Sequence, residues 1–531
     1  MCAPCPRKHL PQDVMVAGNS TGLTTINCSV NGEYNISCRK DGEDVFMPVS
    51  FINKFFEVYG KIASEVGHGS VYNFRSFYGA LNPIQKQYSP NGIFLNFEKY
   101  NVEARTSILC VTAAEGVPVT IQWDKAGYFY AISIAQFSLS HHAKALVEGT
   151  PVTKPLVGHD IGLERWEQNG PGSRVYRAVD TVAGLKRPVL AFDAHPSATE
   201  PGPRLPLDTH ERALSFSIKL LGPGGITVKI RTRQNTVGYV SYFLVDPVME
   251  IRGNSVTYGL KVKNKERWVR LARDVFVDWL KAAADTKNSS NWFDEMLDIT
   301  LHGNGSIDNM TISKNVHYEN FIQGSNWLVE NQDTAGGWPT SIPVKTRGIQ
   351  LPPNWYSAMA QGQAMSALVR AYNLTLDHKY LTAAVKAMKL LTKNAKDGGV
   401  RTRFLGRLDW YEEYPTIPST FVLNGFVFSL LGLYDVMKTA KGSDQKLAEK
   451  LWTSGVRSLK TMLGLFDTGD GTLYDLRHVI SHEAPNRARW DYHVTHIALI
   501  QQMAAIDGDP IFHRAAERWT AYFRGEKSPH N

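Results

Sequence analysis

Leu214-Ser215-Phe216-Ser217-Ile218-Lys219-Leu220, then Gly222-Pro223-Gly224-Gly225, then Ile226-Thr227-Val228-Lys229-Ile230: this stretch sets the architecture of the middle of the chain. Apolar side chains recur at every second residue on both sides of a glycine-rich turn. Successive side chains of a strand point to opposite faces, so this period gives each strand one apolar and one polar face. The pattern predicts a β-hairpin. An apolar face needs cover, so a second sheet is expected over it, as in a β-sandwich. Residues 207–315 read as antiparallel sheet, and the sandwich is assigned to 146–315.

Toward the N-terminus the pattern is mixed. Residues 46–145 hold one expected strand at Gly92–Phe97, on apolar and aromatic content, and another at Val117–Ile121, on β-branched content. Pro118 places the second at a sheet edge or strand start. Residues 150–206 are rich in Pro and Gly and read as irregular or short-stranded. Residues 1–45 are polar and aperiodic and read as a flexible stem.

Toward the C-terminus the period changes to that of helices. Ser357–Tyr372, Lys379–Asn394, Ser419–Thr439, Lys446–Leu463, Val494–Ile506 and Pro510–Arg524 read as amphipathic or buried helices. Gly336-Gly337, Pro352-Pro353, Gly398-Gly399 and Gly469-Asp470-Gly471 punctuate them. Repeated helical segments over 316–531 predict an α/α barrel, or toroid. The spacing of Gln332, Gly336 and Trp338 resembles a motif of toroid folds such as terpene cyclases, and it fits an ordinary loop staple equally well. The fold class is therefore α+β and multidomain.

The chain has 531 residues, 43% hydrophobic and 20% charged, which suits two or three globular domains and argues against long disorder. Its net charge of +8 favours a polyanionic partner such as nucleic acid, an anionic membrane or an acidic glycan. The sequence contains no run of five basic residues, so a nucleic-acid-binding tail is not indicated. Of five cysteines, Cys2 and Cys5 have the form of a redox or zinc half-site with no second pair at ligand spacing. Cys28, Cys38 and Cys110 complete the set, and the odd count leaves a free thiol or a bond between chains. Asn19, Asn27, Asn35, Asn288, Asn304, Asn309 and Asn373 begin glycosylation sequons whose clustering points to the secretory lumen. The sequence holds no apolar run long enough to span a membrane and no signal-peptide core at its start, so an address or anchor upstream of this chain is expected.

Chemistry concentrates in three segments: Asp409-Trp410-Tyr411-Glu412-Glu413-Tyr414-Pro415, Gly471 through His478, and Asn486 through His493. Read alone, the first is a solvated acidic turn over packed aromatics. The other two set Tyr beside Arg and His, and cations near a phenol make its anion more accessible. Either could also be a surface ion-pair network. Three such loops in one helical region favour a shared cleft.

Four segments, Trp355 through Gln363, Asp409 through Pro415, Tyr474 through His478 and Ala488 through His493, resemble in order and spacing the hallmark segments of the D-glucuronyl C5-epimerase family. Tyr100 through Glu103, Glu115 through Pro118 and Gly127 through Tyr130 agree with it. The resemblance runs from about residue 46 to the end. It implies an N-terminal β-hairpin region, a β-sandwich, a catalytic α/α barrel, a homodimer, a heparan-type polysaccharide substrate and a place in the Golgi lumen. It implies bound calcium, with Asp308 as a ligand, although Gly305 through Asn309 also read as a polar turn; no cofactor is implied for catalysis.

The implied reaction sets its own demands. A proton on carbon 5 beside a carboxylate is very weakly acidic, so its removal needs a positioned base and stabilised negative charge. Inversion then needs a donor on the opposite face. The resemblance suggests Glu413 and Tyr492 for that pair, with Tyr414 and Tyr474 assisting. It carries over Tyr100, Arg105, Gln122, Tyr130, Gln136, Asn424, Arg477, Asn486, Arg489, Trp490 and His493 as substrate contacts, Asn424 and His493 orienting the sugar. Three places depart from the family pattern: Ser133 stands for an expected Gln, Thr106-Ser107 for Asp-Arg, and Phe428 for Tyr. A toroid-type polysaccharide lyase shares the first proton removal, and a non-catalytic glycosaminoglycan-binding protein would share the basic charge and the aromatics. A pure binder gives no reason for Glu413.

Overall fold

The computed structural model describes residues 22–30, 34–49, 51–52, 58–65, 69–76, 81–158, 163–282, 292–346, 349–481 and 483–529. The chain divides into two units, Met1–Ile84 with Lys460–Asn531, and Gln85–Leu459.

In the Gln85–Leu459 unit two six-stranded sheets share one apolar core. One sheet runs Arg174–Val182, Leu185–Asp193, Asn304–Ser313, Ala213–Leu220 and Trp268–Asp274, with Lys154–Val157 also paired to Asn304–Ser313. The other runs Arg204–Thr209, Phe293–His302, Gly225–Thr232, Val237–Phe243, Ser255–Gly259 and Met249–Arg252. Leu214, Phe216, Ile218 and Leu220 meet Ile226, Val228 and Ile230 in that core, as the alternation requires.

The two strands of the deciding stretch do not form the expected hairpin. Ala213–Leu220 pairs with Trp268–Asp274 and Asn304–Ser313, whereas Gly225–Thr232 pairs with Val237–Phe243 and Phe293–His302. The turn between them crosses from one sheet to the other. Gly303 makes the same crossing between Phe293–His302 and Asn304–Ser313. The two crossings pack together: a methyl on Gly303, at φ +76°, would overlap the Pro223 carbonyl, and one on Gly224 the His302 carbonyl. The glycines serve this close backbone approach rather than a two-strand turn.

Gly92–Phe97 is not a strand; the residues form turns leading into a short 3-10 helix, Phe97–Lys99. Val117–Ile121 supplies the strand Pro118–Thr120. An unexpected helix, Ala131–Glu148, lies in the region read as mixed, with Ala131 through Lys144 all buried. A helix covered on all sides lacks the amphipathic stripe that would have betrayed it. It packs on His317–Glu330 and Ala358–Thr375. Ala358–Thr375 packs in turn on His378–Thr392 and Leu423–Thr439, close to the expected bounds. Gln332 donates to the carbonyls of Gly336 and Ala383, so it does staple its loop to the neighbouring helix.

The other unit contains Met1–Ile84 and Lys460–Asn531. Part of the expected stem is a three-stranded antiparallel sheet, Thr24–Val30, Tyr34–Asp41 and Asp44–Phe46. Cys28 and Cys38 are bonded across its first two strands, and Asn27 and Asn35 alternate with them and are exposed. Val58–Glu65 pairs antiparallel with Gly69–Ser76. Cys2, Cys5, Asn19 and Asn288 lie outside the described residues. At the C-terminus Gly508, at φ +76°, ends the helix Trp490–Asp507, the Asp509 carboxylate caps the next at the amide of Ile511, and Pro510 begins Pro510–Phe523.

Candidate active site

The acidic segment is a buried structure, not a solvated turn. Arg401–Phe404 and Leu408–Tyr411 form an antiparallel pair that sets its outer end. Asp409 accepts from Arg403 and Ser454; burial alone would raise its pKa, and these two partners outweigh burial and hold it low. Trp410 stacks on Phe426 with centroids 3.6 Å apart, and the Tyr411 hydroxyl donates to the Leu451 carbonyl. The Glu412 carboxylate accepts the Phe421 amide and the Thr420 hydroxyl. These four residues hold the segment in place.

Glu413 differs. It is 4% exposed, and its Oε2 accepts from Nδ2 of Asn424 at 3.3 Å. Asn424 is in the first turn of the helix Leu423–Thr439, and Glu413 follows two residues after the strand Leu408–Tyr411. Gly425 makes the space: a Cβ there would lie 2.5 Å from Oε2 of Glu413. Oδ1 of Asn424 is buried with no protein hydrogen-bond partner, leaving one acceptor for a hydroxyl. Tyr414 follows in an aromatic cluster, 5.7 Å from Trp355 and 6.4 Å from Trp123 between centroids. Tyr130 joins it 5.4 Å from Trp123, at the head of the helix Ala131–Glu148. Gln122, next to Trp123, is exposed. Flat rings beside polar groups suit the apolar face and hydroxyl rim of a sugar.

A second group lies in the same unit. Tyr100 stacks on Phe97 at 4.2 Å, the Arg105 guanidinium sits 5.4 Å from the Tyr100 ring, and Nη1 of Arg105 donates to Oε1 of Gln136 at 2.6 Å. Burial, partly offset by Arg105, raises the Tyr100 pKa, which favours the neutral phenol as a donor. Phe428 packs on Phe94 and Phe97 behind this group, where a phenol would need a buried partner.

The remaining candidates lie in the unit that holds Lys460–Asn531. Tyr474 and Tyr492 meet edge to face with centroids 4.8 Å apart. Tyr492 is in the first turn of Trp490–Asp507, with the Arg489 guanidinium 5.3 Å from its ring; a helix N-terminus and a cation both favour negative charge beside them. Arg489 also pairs with Asp491 at 2.9 Å. The fully buried Asp475 takes Arg477 through Nε and Nη2 and also accepts from Asn486 at 2.7 Å. The same pair, set against the burial penalty, keeps Arg477 charged.

His493 does not stand where a sugar contact would. It is 1% exposed, with Nε2 on the Trp519 carbonyl at 3.1 Å and Nδ1 on the Thr472 hydroxyl at 3.0 Å. Its neighbour Trp490 is half-buried, 5.1 Å away between centroids. Nε2 must donate to a carbonyl, so Thr472 donates to Nδ1, and His493 positions the first turn of the helix. Asp308, the expected calcium ligand, is in the strand Asn304–Ser313. It lies in the sandwich, 3.3 Å from Nη1 of Arg187, and no cluster of three or more His, Cys, Asp or Glu that could hold a metal occurs among the described residues.

Sequence reading assigned no role to Trp123, Gly425 or Asp475. A glycine inside a strongly apolar helix was the available signal for Gly425. Nothing local marked Trp123, and Asp475 was visible only as one acid among basic neighbours.

Comparison with known proteins places these residues in context. Residues 332–521 match the family model "D-glucuronyl C5-epimerase C-terminus", and residues 186–304 match "D-glucuronyl C5-epimerase, beta-sandwich domain". The D-glucuronyl C5-epimerase of Caenorhabditis elegans is 32% identical over 96% of this chain and 90% of its own length. An uncharacterized protein of Methanocaldococcus jannaschii is 28% identical over 32% of this chain and 53% of its own. Among solved structures, a family 11 carbohydrate-binding module of Clostridium thermocellum covers 31% of this chain and 95% of its own at 10% identity and TM-score 0.18. A Klebsiella oxytoca rhamnosidase covers 70% of each chain at 9% identity and TM-score 0.19. Scores this low carry no further conclusion.

Proposed function

The chain belongs to the D-glucuronyl C5-epimerase family, and we propose that it inverts carbon 5 of D-glucuronate residues within a heparan-type polysaccharide, giving L-iduronate without cleaving the chain. Glu413 and Tyr492 are the acid–base pair. One takes the proton from carbon 5 and the other returns a proton to the opposite face. Between the two steps the substrate carboxylate carries extra negative charge, which Arg477 and the phenols of Tyr414 and Tyr474 stabilise. Asn424 holds Glu413 with its amide and offers its free carbonyl oxygen to a sugar hydroxyl. Tyr100, Arg105, Gln122, Tyr130, Gln136, Asn486, Arg489 and Trp490 contact the polymer. Proton transfer between these groups uses no cofactor.

The observation that carries this reading is the buried Glu413 carboxylate, fixed by Asn424 and given room by Gly425. A chain that only bound glycans would have no use for a desolvated carboxylate so held. The same reading takes the helices after residue 316 as an α/α toroid and the working enzyme as a homodimer. Residence in the Golgi lumen, with N-linked glycans, is supported by the Cys28–Cys38 bond and by exposed sequon residues Asn27, Asn35, Asn304 and Asn309.

Incubation with N-sulfated, glucuronate-containing polysaccharide in deuterated water tests the reaction type. Deuterium should enter carbon 5, and iduronate should form in chains of unchanged length. Unsaturated uronate ends would show a lyase instead, and binding without exchange would show a glycan-binding protein.

A further inference from the structure

We infer that the exposed face of the helix Gly442–Met462 is a second contact surface for the anionic polysaccharide, outside the catalytic residues. Lys446, Lys450, Thr453 and Arg457 recur at spacings of four, three and four, so they form one stripe down the helix. The stripe is about 16 Å long at the helical rise. With Glu449 and Ser454 it lines a surface groove of about 480 Å³.

The pair of strands that leads to Glu413 is fastened beside this groove. Ser454 donates to Asp409 at 2.8 Å, and Tyr411 donates to the Leu451 carbonyl at 2.8 Å. The strands bring Arg401 and Arg403 to the same edge, Arg403 bonding Asp409 at 3.0 Å. Apart from the Arg403–Asp409 pair, the cations Lys446, Lys450 and Arg401 stand here against the single carboxylate Glu449. From Asp409 to Glu413 is four residues, about 13 Å of extended chain. The basic edge thus lies no farther than a few sugar lengths from Glu413.

The rest of the surface is not uniformly basic. A larger cleft of about 650 Å³ is lined by Glu115, Glu319 and Glu330 against Lys263 and Arg270. The helix face carries more cations than that cleft does, and a polyanion is the ligand that complements it.

This inference rests on the polysaccharide reading above, and its test separates the two. Lys446→Gln, Lys450→Gln and Arg457→Gln are combined in the full chain, with the melting temperature checked against wild type. KM is measured on a long polysaccharide and on a short oligosaccharide that fills the catalytic residues alone, and retention on immobilised polysaccharide is measured across a salt gradient. The triple variant should elute at lower salt and show KM on the long chain raised by about threefold or more, with kcat and the short-substrate KM unchanged. Wild-type elution and KM in a folded triple variant would overturn the inference. So would equal losses on both substrates, or reduced retention on DNA or anionic vesicles with polysaccharide retention intact. If wild type turned over neither substrate, the catalytic reading would fail, and the elution comparison would still decide the stripe.

Discussion

Asn424 donates its side-chain amide to the Glu413 carboxylate at 3.3 Å, while its own carbonyl oxygen is buried with no protein partner. One side chain thus orients the proposed base and leaves an acceptor for substrate. Asn424→Ala should lower kcat by about 10²-fold, the cost of misplacing a reacting group by about an ångström. Stability should fall as well, by about 1–3 kcal/mol, because a buried carboxylate loses a donor. A kcat within twofold of wild type would remove Asn424 from the positioning role.

Gly425→Ala separates packing from helix propensity. In an open helix the change would stabilise by about 1 kcal/mol. Here the new methyl meets the Glu413 side chain. Activity should fall sharply while the variant stays helical by circular dichroism, and a fully active variant would show that Glu413 tolerates displacement.

Arg477 and Arg489 should behave differently. Arg477 is paired with the fully buried Asp475, so Arg477→Ala leaves a buried charge behind and should cost about 3–5 kcal/mol of stability as well as substrate affinity. The Arg489 side chain is 70% exposed, so Arg489→Ala should leave the melting temperature unchanged and raise KM alone. Thermal denaturation beside KM at two salt concentrations checks both.

Gly303→Ala tests the sheet crossing. The residue sits at φ +76°, and a methyl there meets the Pro223 carbonyl. Strain and overlap together should cost about 2 kcal/mol or more, read as a lower urea midpoint with an unchanged slope. A neutral substitution would mean that the two crossings are not packed together.

Much of the sandwich was legible in the sequence because alternation reports directly which face a strand buries. Strand partners were not, since Leu214–Leu220 and Ile226–Ile230 would show the same alternation in one sheet or two. The helices with a polar face, such as His378–Thr392, declared themselves, and Ala131–Glu148, buried from Ala131 through Lys144, did not. At the site, Glu413 and Tyr492 stood out through the resemblance of their segments to a family. The hydrogen-bond partners that tell Glu413 from Glu412, and the burial that turns His493 inward, are properties of packing that neighbouring letters do not carry.

Acid should weaken the fold through its buried histidines. Burial, with Arg370 adding to it at His142 and His493 at His496, lowers both pKa values to about 3; burial lowers that of His302 to about 4. Unfolded histidine titrates near 6.5, so below that pH the unfolded chain binds more protons than the folded one. Stability should be full above about pH 6.5 and fall as pH drops toward 4, by at most about 1.4 kcal/mol per pH unit for each histidine. His142→Gln or His496→Gln should flatten the urea midpoint against pH between 6.5 and 5, and an unchanged slope would refute the assignment.

The two-group assignment is tested most directly by carbon-5 exchange in the variants Glu413→Gln and Tyr492→Phe. Each is given separate glucuronate- and iduronate-containing polysaccharides in deuterated water, and solvent label at carbon 5 is followed beside product composition. Each variant keeps nearly the size of the residue replaced and should melt like wild type. Neither should invert carbon 5, because one face lacks its group. At least one should still exchange the proton of a single epimer, since the remaining group can remove and return a proton on its own face. Inversion at the wild-type rate in both folded variants would contradict the account and shift the assignment to Tyr414 and Tyr474.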